Sequence, residues 1–173
     1  MDESRKLSAA DLLVVLKLAA HQGAFPAVRQ LERELGLSKS SVANSLNRLR
    51  HFDLVKADQH GRRRVNRLAL RDFLEHAVRW VAPATVGDFE LGLPTAHSAE
   101  VLARKLSGDE DPLVLPLPHG PSRGRAVSPI HPKAPEAANK DPELLRLLAI
   151  VDAFRLGRAR DREVAAAELR ACL

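Results

Sequence analysis

The sequence predicts a mainly α-helical fold with a small β-wing, followed by a proline-rich segment and C-terminal helices. In the first 50 residues, apolar side chains recur at helical spacing between capping residues. Short β-type runs then flank a glycine-bearing turn within residues 54–70. Eight of the eleven prolines fall between Pro112 and Pro142, where they resist regular structure. A length of 173 residues suits one core, or a small domain with an appendage.

Two helices are predicted before residue 36. Ser8 can cap a first helix that ends near Gly23 and has a broad apolar face of Leu12, Leu13, Val15, Leu16 and Ala19. Pro26 suits the first turn of a second helix, whose inner side holds Val28, Leu31 and Leu35. Gly36 can take the left-handed conformation that ends a helix. A helix, a short glycine-containing turn and a further helix make a helix-turn-helix.

The third predicted helix, which we call the recognition helix, follows Ser38 and runs to about Phe52. Its buried face is marked by the i, i+4, i+7 spacing of Val42, Leu46 and Leu49. The opposite face carries Ser40, Asn44, Asn47 and His51, with Ser41 and Arg48 on a flank. Hydroxyls, amides and guanidinium groups are the groups that bind phosphates and base edges in the major groove. The alternative is an ordinary solvated helix face.

A hairpin is predicted directly after the recognition helix. Residues 54–57 indicate one strand and residues 65–70 begin as another, with a glycine-bearing tip at 58–64. The tip carries three consecutive arginines, Arg62, Arg63 and Arg64. A solvated charge run is the alternative, but a hairpin in this position is placed to reach phosphates or the minor groove. Three helices followed by this wing define a winged helix-turn-helix.

The charge distribution predicts a polyanionic partner. Between Ser38 and Arg67 there are eight basic and two acidic residues, whereas the whole chain has a net charge of +5. The entire positive surplus therefore lies on the recognition helix and wing. We expect DNA contacts from Ser38, Lys39, Ser40, Ser41, Asn44, Arg48, Arg62, Arg63 and Arg64. Ser40, Ser41, Asn44 and Arg48 would contact bases or phosphates, and Lys39 and the wing arginines would neutralise phosphates.

Residues 8–68 resemble the winged-helix domain of MarR-type and related bacterial or archaeal transcription regulators. The resemblance is carried by residues 31–42, then Leu46 and Leu49, then residues 54–55. Asp53 stands where such proteins usually have glycine at the turn into the wing, and Asp tolerates the left-handed region better than most residues. The resemblance implies a sequence-specific regulator of double-stranded DNA that acts as a homodimer, as a repressor or autoregulator.

The whole chain is predicted to have three parts. Residues 1–82 hold the winged helix-turn-helix and a fourth helix at about 71–81, residues 83–140 form a proline-rich extended segment, and residues 141–173 form a helical region. The fourth helix either pairs subunits or packs on its own domain. Within the second part, residues 113–115 and 125–127 could form a hairpin. Asp141, Pro142 and Glu143 indicate a strong helix start. The apolar C-terminal helices must pack against the chain itself, a second subunit or another protein.

The downstream sequence is similar to a set of larger winged-helix proteins. The similar stretches are residues 92–96 (Gly-Leu-Pro-Thr-Ala), residues 135–138 (Pro-Glu-Ala-Ala) and residues 150–163. Members of that set look like regulators or antitoxins paired with nucleotidyltransferase-like toxins. The similarity implies an alternative function, in which the C-terminal region neutralises a partner toxin.

Other functional classes have little support in the sequence. Seven scattered histidines form no i, i+3 or i+4 pair, and no nucleophile elbow or phosphate-binding loop occurs, so we expect no enzyme, metal or cofactor. An aromatic content of 3% argues against single-strand binding by stacking. Cys172 is the single cysteine, and we expect a small apolar residue there rather than an oxidant sensor. The absence of a long apolar run predicts no membrane association, and we expect a cytoplasmic protein.

Overall fold

A computed structural model describes residues 6–21, 23–106 and 111–173. Its first half is the predicted winged helix-turn-helix, so the fold class is confirmed. Three helices, α1 to α3, precede a two-stranded antiparallel wing, β1 and β2, and two further helices, α4 and α5, follow. Their bounds are α1 Ala9–Ala20, α2 Val28–Leu35, α3 Lys39–His51, β1 Val55–Ala57, β2 Arg63–Val65, α4 Arg67–His76 and α5 Val78–Val81.

The local signals in the helix-turn-helix act as expected, with one exception. Ser8 caps α1 in a capping box with Asp11, and Gly36 ends α2 with φ 63°. Pro26 does not lie in the first turn of α2, because Ala27 remains extended and the helix begins at Val28. Leu31 and Leu35 are buried as predicted.

The elements after α3 differ in their bounds from the predicted ones. Asp53 has φ 58°, the left-handed conformation that its position requires. The predicted strand at 65–70 is wrong, because Asn66 caps α4 by accepting a hydrogen bond from the backbone of Ala69 and the chain is helical from Arg67. The predicted helix at 71–81 therefore starts earlier, and it breaks at Ala77 into α4 and α5.

Residues 83–140, expected to be extended, contain a small closed barrel of three strands. These are β3 (Val86–Pro94), β4 (Leu113–Pro116) and β5 (Ser122–Val127). The predicted hairpin is wrong, because β4 and β5 pair in parallel and each pairs antiparallel with β3. A parallel connection usually needs a dozen or more residues, whereas residues 117–121 suffice here. Glycines allow this, since a Cβ on Gly120 would overlap the backbone of Gly92.

Helix α8 (Pro142–Leu156) packs against α1, α5, α7 (Ala134–Ala138) and α9 (Ala159–Cys172). Asp141 caps it by accepting hydrogen bonds from the backbones of Glu143 and Leu144, which confirms the predicted helix start. The C-terminal helices therefore bury apolar side chains against their own chain. One apolar cluster runs from Leu12 to Leu169 and includes residues of all three predicted parts. A further short helix, α6, spans Glu100–Ala103.

A buried polar network joins two of the stretches that carried the downstream similarity. The Thr95 hydroxyl donates to Asp152 at 2.7 Å, and the Arg155 guanidinium donates to the same carboxylate at 2.6 Å. Arg155 also donates to the carbonyl oxygens of Ala82, Pro83 and Ser128. Because each buried polar group has a partner, the network fixes the chain between α5 and β3 onto α8.

Candidate nucleic-acid interface

The recognition helix, α3, presents the face that its periodicity predicts. The hydroxyl of Ser38 accepts a hydrogen bond from the backbone of Ser41 at 3.1 Å and lies 3.1 Å from the hydroxyl of Ser40. The inner residues Val42, Leu46 and Leu49 are buried. The outer residues are exposed and lie under no other described segment: Ser40, Asn44, Asn47 and His51.

The exposed side of α3 suits an anionic ligand. The helix contains no acidic residue, and Lys39 lies exposed at its first position. Its first turn also has the positive end of the helix dipole and backbone N–H groups that lack helical partners. The predicted contacts Ser38, Lys39, Ser40, Ser41 and Asn44 therefore lie together along one helix and its cap.

Arg48 is placed differently from the other predicted contacts. Its Nε and Nη2 atoms each donate to a carboxylate oxygen of Asp11 at 2.8 Å, and Asp11 is fully buried. Burial acts to raise the pKa of Asp11, but the hydrogen bonds from Arg48 and Ser8 outweigh burial and lower it. Arg48 thus anchors the recognition helix to the start of α1.

The wing tip is organised by Asp58. One oxygen of its carboxylate accepts from the backbone N–H groups of His60 at 2.8 Å and Arg62 at 2.9 Å, and the other accepts from the Arg62 guanidinium at 3.2 Å. The backbone hydrogen bond from Arg62 is the main cause that lowers the pKa of Asp58; partial burial opposes it. Gly61 completes the turn with φ 73°. The carboxylate that shapes the tip is therefore ionised at neutral pH.

The three wing arginines point to different sides. Arg62 lies in the turn, and Arg63 and Arg64 lie in β2. Lys56 pairs across the ribbon with Arg64, so these two cations share one face. Arg63 is on the other face, where its guanidinium lies 5.8 Å from the centre of the Phe25 ring. The wing therefore presents positive charge on both faces.

Sequence reasoning missed one cation near the turn of the helix-turn-helix. The side-chain carbons of Lys133, at the start of α7, lie within 4 Å of where a Cβ on Gly36 would be. Lys133 is exposed, and its ammonium is 3.8 Å from the carboxylate of Glu136. No local pattern could have revealed this position, because the contact joins segments that are distant in the chain.

Metal-binding, membrane-spanning and reactive-thiol features were each looked for among the residues that the structure describes. Among them, no group of three or more histidine, cysteine or acidic side chains is arranged to hold a metal ion. None of the helices in that part of the chain has the length and apolar character that crossing a bilayer requires. The pKa of the Cys172 thiol is raised, mainly by burial. A reactive cysteine needs a lowered thiol pKa, so this environment does not favour an oxidant sensor.

Comparison with known proteins agrees with this geometry. Residues 5–55 match the family model described as a helix-turn-helix domain, a range that contains α1, α2 and α3. No curated protein and no solved structure matches the chain significantly. The helix-turn-helix match supports a DNA-binding regulator, since in this motif the second helix of the pair reads the major groove.

Proposed function

We propose that this protein is a sequence-specific, double-stranded DNA-binding transcription regulator that acts as a homodimer. The observation that carries the proposal is the exposed, acid-free face of α3 beside a wing with cations on both faces. The helix would lie in the major groove while the wing follows the flanking backbone. A MarR-like mode of action, with repression by steric competition with polymerase or autoregulation of its own operon, is part of the proposal.

Each group has a chemical role in this arrangement. Asn44 can donate and accept at an adenine edge, and the hydroxyls of Ser40 and Ser41 can bind bases or phosphates. Ser38, Lys39 and the N-terminus of α3 suit one phosphate. Arg62, Arg63 and Arg64 neutralise further phosphates, and the tip can reach the minor groove. Arg48 is reassigned: it orients the recognition helix through Asp11 rather than contacting DNA.

The wing is tested by salt-dependent binding. After selection of bound fragments from genomic DNA, the variant with Arg62, Arg63 and Arg64 changed to Ala should bind every duplex more weakly by fluorescence anisotropy. Its plot of log K against log salt should flatten by about 0.9 for each lost phosphate contact. The matched control changes three exposed arginines elsewhere, Arg104, Arg160 and Arg170, to Ala. A parent-like slope in the wing variant would remove the wing from the mechanism.

Base reading is tested separately at Asn44. Asn44→Ala should cost about 1–3 kcal/mol of discrimination at particular base pairs and leave non-specific binding unchanged. Asn47→Ala on the same exposed face provides the comparison. An equal loss on all sequences would mean that Asn44 binds the backbone.

The second candidate is a protein that neutralises a partner toxin. It is favoured by exposed apolar side chains at Trp80, Phe89 and Leu91, which are 74%, 44% and 48% exposed. Helix α8, the first helix of the C-terminal region, is a poor docking element for such a partner, because most of its residues are buried in the chain's own core. Co-expression with a nucleotidyltransferase-type protein encoded beside this one would test it: the chain should restore growth, and Trp80→Ser should fail to do so.

A further inference from the structure

A cavity of about 530 Å³ opens beside α6, α8 and α9. None of its lining residues belongs to the recognition helix or the wing. Its walls are largely apolar and include Pro94, Val101, Leu145 and Ala149. Ligand sites commonly have volumes of about 300–1,000 Å³, apolar walls and a few convergent polar groups. The cavity has the size and lining of a small-molecule site.

The charged side chains that line the cavity differ in whether they have a hydrogen-bonding partner. The Lys105 ammonium donates a close hydrogen bond to Glu168, which neutralises that largely buried carboxylate. At the rim, Arg104 and Glu100 pair at 2.6 Å. Arg146 differs, because its nearest carboxylate oxygen, on Glu168, is 3.6 Å away, beyond hydrogen-bonding distance. Within the described ranges, the Arg146 guanidinium makes no hydrogen bond at all, so its donors remain available to a ligand.

A planar guanidinium with available donors selects a particular ligand chemistry. Its two parallel N–H groups match the two oxygens of a carboxylate, and such charge-assisted pairs are stronger and more directional than neutral hydrogen bonds. We propose that this cavity binds a small molecule with an apolar body and one carboxylate. The body lies against Val101, Leu145 and Ala149, and the carboxylate pairs with Arg146.

The cavity is connected to the helix-turn-helix through the start of α8. Pro142 lines the cavity and follows Asp141, whose carboxylate caps α8 and accepts from the Lys17 ammonium at 2.6 Å. Lys17, in α1, also lies 2.8 Å from Glu34 in α2. A ligand that shifts the first turn of α8 therefore acts on α1 and α2 through this three-charge cluster. The ligand is thus an effector, a role that rests on the proposed DNA-binding function.

Calorimetric titration of the full chain tests the site without DNA. The probes are 4-phenylbutyrate, 4-phenylbutanol and 4-phenylbutylamine, which share an apolar body and differ in the head group. The carboxylate should bind at least tenfold more tightly than the other two. Arg146→Met should remove that preference, whereas Arg170→Met, at an exposed arginine outside the cavity, should not. Val101→Phe, which fills the cavity, should abolish binding. Equal affinities for the three probes, or no binding, overturn the site.

Operator binding with and without 4-phenylbutyrate tests the coupling. The apparent affinity should change by about fivefold or more, the lower end of typical allosteric coupling. Glu34→Gln should reduce this change while leaving calorimetric binding of the probe unaltered. Probe binding without any change in DNA affinity overturns the effector role. If the chain binds no duplex, the proposed function fails, and the calorimetric result still decides the site.

Discussion

The pairing of Arg48 with Asp11 gives the sharpest test of how the recognition helix is held. Two charge-assisted hydrogen bonds of 2.8 Å join them, and the Asp11 side chain is 0% exposed while that of Arg48 is 23% exposed. Arg48→Met keeps most of the apolar stem and leaves the carboxylate buried without its cation. Removing one partner of a buried pair typically costs about 3–5 kcal/mol.

We expect the lower end of that range for Arg48→Met. The backbone of Ser8 still donates to Asp11 at 2.8 Å, and the position of Arg48 admits some water. A loss of about 3 kcal/mol in the free energy of unfolding lowers the melting temperature by about 6–12 °C in a chain of this size. Urea unfolding and thermal denaturation, followed by circular dichroism, measure both quantities.

The double variant separates pairing from DNA contact. Arg48→Met combined with Asp11→Leu removes both charges, and we expect a loss of only about 1 kcal/mol, the usual cost of a broken helix cap. It should bind operator DNA within a few-fold of the parent. If Arg48→Met instead leaves stability unchanged and abolishes operator binding, Arg48 is a DNA contact and the anchoring role is refuted.

Three further predictions concern other parts of the molecule. Lys133→Ala should weaken binding to every duplex and lower the salt slope by about one unit, unlike Glu136→Ala; equal slopes for the two variants would exclude a phosphate contact. Trp80, the single tryptophan, should shift its emission to the blue as the homodimer forms, and an unchanged spectrum across the association measured by light scattering would place the interface elsewhere. Burial tends to raise the pKa of Asp141, but Lys17 outweighs it and the net shift is downward from 3.8. Stability should therefore decline as the pH falls below about 4, less steeply in Lys17→Met, since the carboxylate contribution is lost on protonation.

The N-terminal half could be predicted because its signals are local. Ser8 and Ser38 are caps that act within three residues of themselves, and Gly36 needs only its own left-handed backbone. The burial of Val42 and Leu46 follows from helical periodicity. Such features require no knowledge of distant segments, so the fold of this half and the exposed face of α3 could be predicted from the sequence.

The second half depends on contacts that no local pattern specifies. The strand positions of β4 and β5 could be recognised locally, but their parallel pairing depends on β3, which pairs with both, and on glycines where backbones touch. Gly87 and Gly92 interrupt the strand pattern of β3 itself. The contact of Arg48 with Asp11 escaped prediction for the same reason: the flank position of Arg48 on α3 says nothing about Asp11, 37 residues earlier. The position of Lys133 beside Gly36 is a second contact of this kind, between segments far apart in the chain.

Arg155 has a consequence for the operators that this chain can occupy. Its guanidinium donates to the carbonyl oxygens of residues 82, 83 and 128. These hydrogen bonds restrict rotation of the segment that joins the winged helix-turn-helix to β3. In the proposed homodimer, the two recognition helices would therefore keep a fixed distance from each other and a fixed orientation around the DNA axis. Inserting five base pairs between half-sites, about half a helical turn, would turn one half-site to the far side of the duplex, out of reach of a rigid pair.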